Sequence, residues 1–397
     1  MKVVVAGAGV AGCIVARALS KVSGVEVICL EQVVADDHSE SGTGLNIGAN
    51  GLKALKRHSP ELAAAVLDSS YLWHTWRTSL TDGTVLFDLP IESVADNPGL
   101  RIRWSELYRV LRQQAGAAVR FGCEVTKVGY TDPAHTFVEY SQAGTTHRIE
   151  GIDLLVSADG RYSLTRQTLC GAPAMKQIGV AILRVLVPDT SGGLVDDYEQ
   201  WFNGNSRLLG FRVPEDQYYL SGAFPIKLGE QIPEEDKTAE ALRRHFTPAG
   251  KSASAQCRWL IDTLYNNGPI IHWSRLQESP ALFRDPGGRV MFIGDSANGM
   301  VPTLGQGATQ AIEGACMVAD LLAAKLNAGE GPAQVPAWVE EAEQRRRERI
   351  KFVMEFSLDA TDTMLPGIDV VAGSKKKVEP AFLGKLTRLY RDISVYP

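Results

Sequence analysis

Three glycines near the N-terminus have the spacing of a turn that binds dinucleotides. Gly7, Gly9 and Gly12 form a GxGxxG pattern between a short β-branched run and a segment of helical periodicity. The first glycine permits a tight turn, the second lets the backbone approach a pyrophosphate, and the third allows a helix to lie close to a strand. The pattern therefore predicts that N–H groups at a helix N-terminus, among them those of Val10 and Ala11, hold phosphate oxygens.

An acidic residue ends the second predicted strand, Val25–Glu31. Glu31 lies 19 residues after Gly12, where a carboxylate can accept hydrogen bonds from an adenosine ribose, and Gln32 follows it. A 2′-phosphate would be repelled by this carboxylate, so the site favours an unphosphorylated ribose. The acid and the glycines together indicate a bound dinucleotide and not merely a structural turn.

Two further strands end in aspartates. Asp159 and Gly160 close one apolar run, and Asp295 closes another, Val290–Gly294. Either aspartate alone is typical of a helix cap. Because both follow the GxGxxG pattern in order, they favour a cofactor site.

Pro302, Gly305 and Gly307 come shortly after Asp295 and complete a set of three ordered motifs. This set resembles the motifs of the single-component FAD-dependent aromatic-ring monooxygenases, the para-hydroxybenzoate hydroxylase-like group A flavoprotein hydroxylases. The resemblance covers residues 1–350 and does not extend to the last helices.

The resemblance implies FAD as the cofactor and NAD(P)H as a transient co-substrate. It also implies that O2 and a small hydroxylated aromatic or N-heteroaromatic substrate, which can carry a carboxylate, react through a flavin hydroperoxide. Pro302 would lie beside the isoalloxazine ring as the residue of the catalytic loop, near N–H groups that stabilise negative charge on reduced flavin. The implied FAD-binding residues are Gly7, Gly9, Val10, Ala11, Gly12, Glu31, Gln32, Arg103, Asp159, Asp295, Gly305, Gln306 and Gly307.

The chain departs from the family pattern at several positions. Asn298 stands where the family usually has a histidine, and Glu313-Gly314 replaces a commoner acidic pair. Trp104 stands where the family often has an arginine, which leaves Arg103, one residue earlier, as the candidate for contact with FAD. These changes indicate a divergent branch of the family.

The segment Ser41–Leu55 also resembles the family's connection between the second strand and the next helix. Within it, Asn50 either caps that helix or has a role particular to the family. The sequence does not distinguish between these two roles.

Candidate substrate-binding residues come from segments that read as antiparallel strands. Arg207 and Phe211 share one strand face by alternation, and Arg184 lies in a neighbouring apolar strand, where a charge is costly unless paired. An arginine there binds a substrate carboxylate bidentately or forms an internal salt bridge, and both alternatives stay open. The predicted substrate contacts are Trp73, Arg184, Arg207, Phe211 and Tyr219.

These residues must be positioned by a doubly wound sheet and a second layer of strands. The βαβ opening predicts a parallel sheet, because such crossovers are right-handed. The expected fold class is α/β: a Rossmann-type FAD-binding domain, an inserted antiparallel β-sheet substrate domain and C-terminal helices. The predicted FAD-binding domain comprises residues 1–70, 101–175 and 281–335, the substrate domain residues 71–100 and 176–280, and the helical region residues 336–397. Within the last region, Ser374–Pro380 is predicted to be a lysine-rich loop.

The composition is that of an ordinary globular protein. The 397 residues carry a net charge of −5, which argues against a basic surface for nucleic acid. No apolar run has the length of a membrane span, and the six cysteines lack the spacing of metal ligands or of a disulfide framework. We therefore expect a cytoplasmic monomer or homodimer without a metal, membrane or nucleic-acid partner.

Other activities on the same scaffold stay open. An FAD-dependent epoxidase is one alternative, and a reductase acting on polyprenyl chains, which would tolerate the changes at Trp104 and Asn298, is another. The alternative from another class is a flavin-binding protein without turnover that serves as a partner subunit or sensor. The intact aspartate and glycine motifs favour the enzyme.

Overall fold

The computed structural model describes residues 1–34 and 43–397, so that Ser41 and Gly42, at the start of the segment Ser41–Leu55, lie outside the described residues. The strands are β1 (Lys2–Ala6), β2 (Glu26–Leu30), β3 (Gly44–Ile47), β4 (Tyr71–Trp73), β5 (Thr75–Leu80), β6 (Val85–Pro90), β7 (Gly99–Arg103), β8 (Val119–Arg120), β9 (Cys123–Asp132), β10 (His135–Gln142), β11 (Thr145–Ile152), β12 (Leu154–Ser157), β13 (Lys176–Pro188), β14 (Glu199–Asn203), β15 (Ser206–Val213), β16 (Gln217–Pro225), β17 (His272–Glu278) and β18 (Val290–Phe292). The α-helices are α1 (Val10–Leu19), α2 (Ala49–His58), α3 (Pro60–Asp68), α4 (Trp104–Ala115), α5 (Leu164–Cys170), α6 (Ala239–Phe246), α7 (Ala255–Asn266), α8 (Gln306–Asn327), α9 (Val335–Asp359), α10 (Val370–Lys376) and α11 (Pro380–Arg391).

A parallel sheet in the order β18-β12-β1-β2-β8 forms the first layer. Its central strand β1 is buried on both faces, which explains the unbroken apolar run Val3–Val5. Helices α1 and α8 contribute to the hydrophobic core on one face of this sheet. Because the strands are parallel, their carboxyl ends lie along one edge, and the loops that carry the predicted motifs all leave from that edge.

A seven-stranded sheet in the order β17-β13-β16-β15-β14-β5-β6 forms the second layer, and its strands are antiparallel except for the parallel pair β14 and β5. Alternation along each strand separates its two faces. Leu183 in β13 and Leu208 in β15 belong to the hydrophobic core that includes α6 and α7. Arg184 and Arg207, next to them in sequence, therefore face the opposite side, toward the parallel sheet's loops.

Two smaller antiparallel sheets complete the strands, β11-β10-β9 and β3-β7-β4. The fold is thus the expected combination of a Rossmann-type parallel sheet, an antiparallel sheet and C-terminal helices. The prediction of a loop at Ser374–Pro380 is wrong over its first residues, because α10 runs as far as Lys376. Lys377 follows with a buried ammonium group that donates to the Ala360 carbonyl and pairs with Asp362.

No helix in the described part of the chain is both long enough and apolar enough to cross a membrane. Over the same residues, no group of three or more histidine, cysteine, aspartate or glutamate side chains is arranged to hold a metal ion.

Candidate active site

A cavity of 360 Å³ lies between the carboxyl edge of the parallel sheet and the inner face of the seven-stranded sheet. Its first wall comes from the loops after β1, β12 and β18 and from the start of α8. Its second wall comes from β13, β15 and β16, and the first turns of α4 and strand β3 line it between the two. The position matches the rule that open α/β sheets bind ligands outside the carboxyl ends of their strands.

The glycine turn after β1 has the shape that a phosphate cradle requires. Gly7 has a φ of +95°, and a Cβ on Gly12 would lie only 1.9 Å from the carbonyl oxygen of Gly7. A Cβ on Gly9, in contrast, would meet no protein atom within 4 Å. Gly9, Val10 and Ala11 line the cavity, and no side chain caps the start of α1. The N–H groups of this turn are therefore available to a phosphate group.

Glu31 is a buried carboxylate that holds the glycine turn in place. One of its oxygens accepts a hydrogen bond from the N–H of Ala8 at 2.8 Å and lies 3.3 Å from a guanidinium nitrogen of Arg112. The other accepts from the N–H of Val33 at 3.2 Å. Arg112 also donates to the Ala8 carbonyl at 3.1 Å. Gln32 is exposed and does not line the cavity.

Arg112 was missed at the sequence level. It lies on the buried face of α4, between apolar residues, and its partner Glu31 is 81 positions earlier in the chain. An arginine in the middle of an otherwise apolar helix face was the available signal, because such a charge requires a buried partner.

The two aspartates at the strand ends have different surroundings. Asp159 accepts hydrogen bonds from the hydroxyl of Ser157 and from the N–H and hydroxyl of Thr165. It therefore organises the first turn of α5, which is close to the capping role that the sequence left as its alternative. Gly160, with a φ of +78°, is the residue of this motif that lines the cavity.

Asp295 points into the cavity without a hydrogen-bond or ion-pair partner in the part of the chain that the structure describes. Its side chain is accessible to solvent, but it lies deep in a cleft, and the loss of surrounding water raises its pKa while Arg161 opposes that shift. A carboxylate placed in this way can accept hydrogen bonds from ligand hydroxyls. Arg166 fixes the loop around it by donating to the carbonyls of Ser296 and Ala297.

The start of α8 forms the remaining part of the first wall. Gly305 is left-handed, with a φ of +63°, and a Cβ there would lie 2.3 Å from the amide nitrogen of Asn46. Gly307 and Pro302 face the cavity, and no side chain caps the helix. The positive end of α8 is thus directed at the cavity. Gln306 is fully buried behind this surface and does not contact the cavity.

Arg103 does not line the cavity. Its guanidinium group forms an ion pair with Glu215 in the turn between β15 and β16. Trp104 and Tyr108 instead face the cavity from α4, with ring centroids 5.3 Å apart. Burial raises the pKa of Tyr108 to about 12, so that its hydroxyl stays protonated at neutral pH. An aromatic wall therefore stands where the resemblance led us to expect an arginine.

The seven-stranded sheet presents two arginines to the cavity. Arg207 is 5% exposed, and its side chain has no hydrogen-bond or ion-pair partner among the described residues. Burial lowers the pKa of Arg207, and the neighbouring charge of Arg184 lowers it further. Arg184 donates to the hydroxyl of Ser274 at 3.2 Å and has no carboxylate partner within the described ranges. Of the two alternatives for these arginines, the internal salt bridge is not formed by either one with any residue that the structure describes.

Two of the predicted substrate contacts lie behind the cavity surface. Trp73 donates to the Thr75 carbonyl and its ring is 5.1 Å from that of Tyr198, and Phe211 is fully buried between Tyr198 and Tyr219. Tyr219 itself lines the cavity. Tyr198, which the sequence did not single out, lines it as well. The amide of Gln200 donates to its hydroxyl at 2.8 Å, and the Tyr198 proton has no acceptor in the described structure.

Asn298, the first of the departures from the family pattern, is buried in the loop after Asp295, and its N–H donates to the Gly294 carbonyl. Asn50 does not cap α2. Its amide donates instead to Gln306 and Glu313 on α8.

These features fit FAD. The open position at Gly9 and the uncapped start of α1 suit a diphosphate, and the free carboxylate of Asp295 suits the hydroxyls of a ribityl chain. The start of α8 suits the pyrimidine edge of a flavin, which becomes negatively charged on reduction.

Comparisons with known proteins agree with this geometry, although no family model matches the chain. The FAD-dependent urate hydroxylase of Mycolicibacterium vanbaalenii is 29% identical over 333 residues, which span 79% of this chain and 78% of that protein. The 6-hydroxynicotinate 3-monooxygenase of Pseudomonas fluorescens is 26% identical over 336 residues, which span 81% of this chain and 82% of that protein.

Solved structures share the fold over nearly the whole chain. Klebsiella pneumoniae HpxO complexed with FAD and uric acid gives a TM-score of 0.79 at 20% identity and covers 98% of this chain and 96% of that chain. A salicylate hydroxylase substrate complex gives 0.74 at 21% identity and covers 98% of each chain. In its motifs, its cavity and these similarities, the chain resembles the single-component FAD-dependent aromatic-ring monooxygenases, and FAD is its cofactor.

Proposed function

We propose that this enzyme uses NAD(P)H and O2 to hydroxylate a small aromatic or N-heteroaromatic substrate that carries an anionic group. The reaction consumes one reduced nicotinamide, one proton and one O2, and it yields the hydroxylated ring, oxidised nicotinamide and water. Bound FAD supplies the electron transfer and the activation of O2.

The observation that carries the substrate class is the charge of Arg207, which has no partner among the described residues. A buried arginine that is 5% exposed and has no such partner is costly, and an anionic ligand in the adjoining cavity would remove that cost. Arg184 lines the same wall and would add a second donor to the anion. The relatives named for urate and for 6-hydroxynicotinate act on nitrogen-containing rings that bear acidic groups, which supports the same class of substrate.

Tyr198 would orient the substrate as a hydrogen-bond donor. Its hydroxyl oxygen already accepts from Gln200, so that its own proton is directed to a ligand. Burial raises the pKa of Tyr198, and the proton therefore stays on the hydroxyl oxygen at neutral pH. An oxygen or ring nitrogen of the substrate would accept it.

The residues of the first wall would hold FAD and exclude water. The N–H groups of Val10 and Ala11 would bind the diphosphate, and Asp295 would accept from hydroxyls of the ribityl chain. Trp104 and Tyr108 cover one side of the cavity with apolar surface, which limits the entry of water to the reacting atoms. The role of Pro302 beside the flavin ring belongs to the same proposal.

The test is the visible spectrum of the purified enzyme under anaerobic conditions, followed after addition of NADH or NADPH. We expect flavin absorption bands that bleach faster when hydroxylated aromatic or N-heteroaromatic acids are present than with the same rings lacking the anionic group. Admission of O2 should then give a hydroxylated product. Bleaching that is indifferent to the anionic group would refute the proposed substrate class, and flavin that neither nicotinamide reduces would refute the proposed electron donor.

A further inference from the structure

A buried polar network joins the C-terminal end of the chain to the helix that borders the flavin side of the cavity. Its centre is Glu313 on α8, which is completely buried. One carboxylate oxygen accepts from Arg346 at 2.8 Å, from Arg349 at 3.0 Å and from the N–H of Ser394 at 3.0 Å. Such a carboxylate is held from three directions by α9 and by the residues that follow α11.

The same carboxylate is connected to the start of α8. Its second oxygen accepts from Gln310 and from Asn50, each at 3.0 Å. Both amides also donate to the side-chain oxygen of Gln306, each at 3.1 Å. Gln306 is the first residue of α8 and lies between the cavity-lining glycines Gly305 and Gly307. The network therefore ends at the backbone that faces the flavin.

The charge at the centre of the network is stable. Burial raises the pKa of Glu313, but Arg346 and Arg349 outweigh that effect and hold the pKa at about 2. Arg349 in turn donates to the carbonyls of Arg388 and Leu389 in the last turn of α11, and Arg346 donates to the hydroxyl of Ser394. The C-terminal residues thus serve as ligands of the two arginines as well as of the carboxylate.

We propose that the C-terminal end of the chain is a positioning element for the flavin, which acts through Glu313, Gln310 and Gln306 on the first turn of α8. The inference rests on the flavin chemistry of the proposed function. A helix start that is held rigidly at the cavity keeps its N–H groups aligned with the flavin ring, and it stabilises reduced flavin more than oxidised flavin because reduction adds negative charge. None of the network residues needs to touch the substrate.

The decisive variants distinguish the amide contacts that lead to Gln306 from the ion pairs of Glu313. Gln310→Met removes one of the two amide links between Glu313 and Gln306 with little change in volume, and the link through Asn50 stays. A chain that ends at Ile393 removes both contacts of Ser394, and a chain that ends at Val395 is the matched control because it keeps them. Glu343→Gln is a control for the loss of polar contacts on α9, since Glu343 pairs with Arg284 and Arg347 away from the flavin cavity.

The measurements are the dissociation constant of FAD, the two-electron midpoint potential against reference dyes, and the melting temperature of the apoprotein. We expect Gln310→Met and the chain ending at Ile393 to bind FAD about fivefold more weakly and the two controls to bind it unchanged. The midpoint potential of the two variants should become more negative, and each tenfold loss of preference for reduced flavin corresponds to about 30 mV.

A lower melting temperature with unchanged FAD affinity and unchanged potential would overturn the proposal and leave the network as a clamp for the C-terminal residues. If the shortened chain fails to fold, Gln310→Met decides alone, because it retains every ion pair. These readouts need no aromatic substrate. Failure of the proposed substrate class would leave them unchanged, and the two hypotheses can be rejected separately.

Discussion

The two walls of the cavity are built from different parts of the polypeptide. The first wall, which we call the flavin wall, is mostly backbone: the glycine turn after β1, the loop after β18 and the start of α8. The second wall, which we call the substrate wall, consists of side chains on one face of the seven-stranded sheet, and Arg184, Arg207 and Tyr219 are among them. A backbone site depends on residue types that permit one conformation, so it leaves a pattern in the sequence. A side-chain site can be changed at single positions without disturbing the strands, which is how one fold serves many substrates.

The largest expected effect separates the structural glycines of the flavin wall from the one that faces the ligand. Gly12→Ala forces a Cβ to within 1.9 Å of the Gly7 carbonyl oxygen, and we expect it to cost the apoprotein about 3 kcal/mol in free energy of unfolding. Gly9→Ala meets no protein atom and should leave that free energy within about 0.5 kcal/mol of the parent. It should nevertheless weaken FAD at least about tenfold, because the methyl group occupies the phosphate's approach.

Urea unfolding of the apoproteins and fluorescence titration with FAD measure the two quantities separately. If Gly9→Ala binds FAD as tightly as the parent, the diphosphate does not lie over this turn, and the backbone account of the flavin wall fails.

The sequence predicts the flavin wall well for this reason. A left-handed φ at Gly7 and Gly305, or the contact at Gly12, admits only glycine, so that the geometry is encoded in residue identity and spacing. The sequence could not predict the contacts between distant residues that hold the flavin wall in place. Arg112 contacts Glu31 only after α4 has packed against the sheet, and no local sequence pattern predicts a partner so far away in the chain.

The substrate wall was predictable only in part. Alternation correctly placed Arg207 and Phe211 on one face of β15, but the cavity covers only the first half of that face, and Phe211 supports the rings of Tyr198 and Tyr219 behind it. Periodicity gives the face of a residue and not its distance from a ligand. Tyr198 precedes β14, outside any regular strand, so periodicity gave no reason to select it.

The next effect concerns the charge on the substrate wall. Arg207→Met should raise KM for the anionic substrate about 100-fold, because a charge-assisted contact is lost. The apoprotein should become more stable by about 1 kcal/mol, since a buried charge that has no partner among the described residues is replaced by an apolar side chain of similar length. Steady-state kinetics measure the expected rise in KM, and unfolding of the apoprotein measures the expected gain in stability.

Arg212→Met on the same strand is the matched control for Arg207→Met. Arg212 pairs with Asp189 at 2.7 Å and does not line the cavity, so its replacement should lower stability and leave KM unchanged. If both variants lose stability equally with no change in KM, Arg207 has only a structural role. The substrate wall would then not be a site at which side-chain charge binds the substrate.

Asp295→Asn tests a carboxylate of the flavin wall, which lines the cavity together with Arg161. We expect FAD to bind about tenfold more weakly, because an amide is a poorer acceptor for hydroxyl groups than a carboxylate. The apoprotein should gain a few tenths of a kcal/mol at neutral pH, because the cleft disfavours the ionised form of Asp295.

The sign of the pH dependence follows from the raised pKa of Asp295. The folded protein binds its proton more tightly than the unfolded chain does, so ionisation costs stability above the folded-state pKa. That cost disappears as the pH falls through the raised pKa toward the ordinary value of 3.8, and the stability gain of Asp295→Asn should disappear with it. If the stability gain of Asp295→Asn grows on acidification, the pKa of Asp295 is not raised in the folded protein.

The smallest effect is expected at Arg103, which the resemblance assigned to FAD. Its ion pair with Glu215 joins β7 to a surface turn, and Glu215 is 62% exposed, so Arg103→Gln should cost at most about 1 kcal/mol of stability. The affinity for FAD should change less than twofold, whereas Trp104→Ala, which opens the cavity wall one residue later, should weaken FAD about tenfold. Titration of both variants with FAD decides between the two positions. A larger loss at Arg103 than at Trp104 would mean that the guanidinium group leaves Glu215 when the flavin binds, and that side-chain charge contributes more to the flavin wall than its backbone geometry indicates.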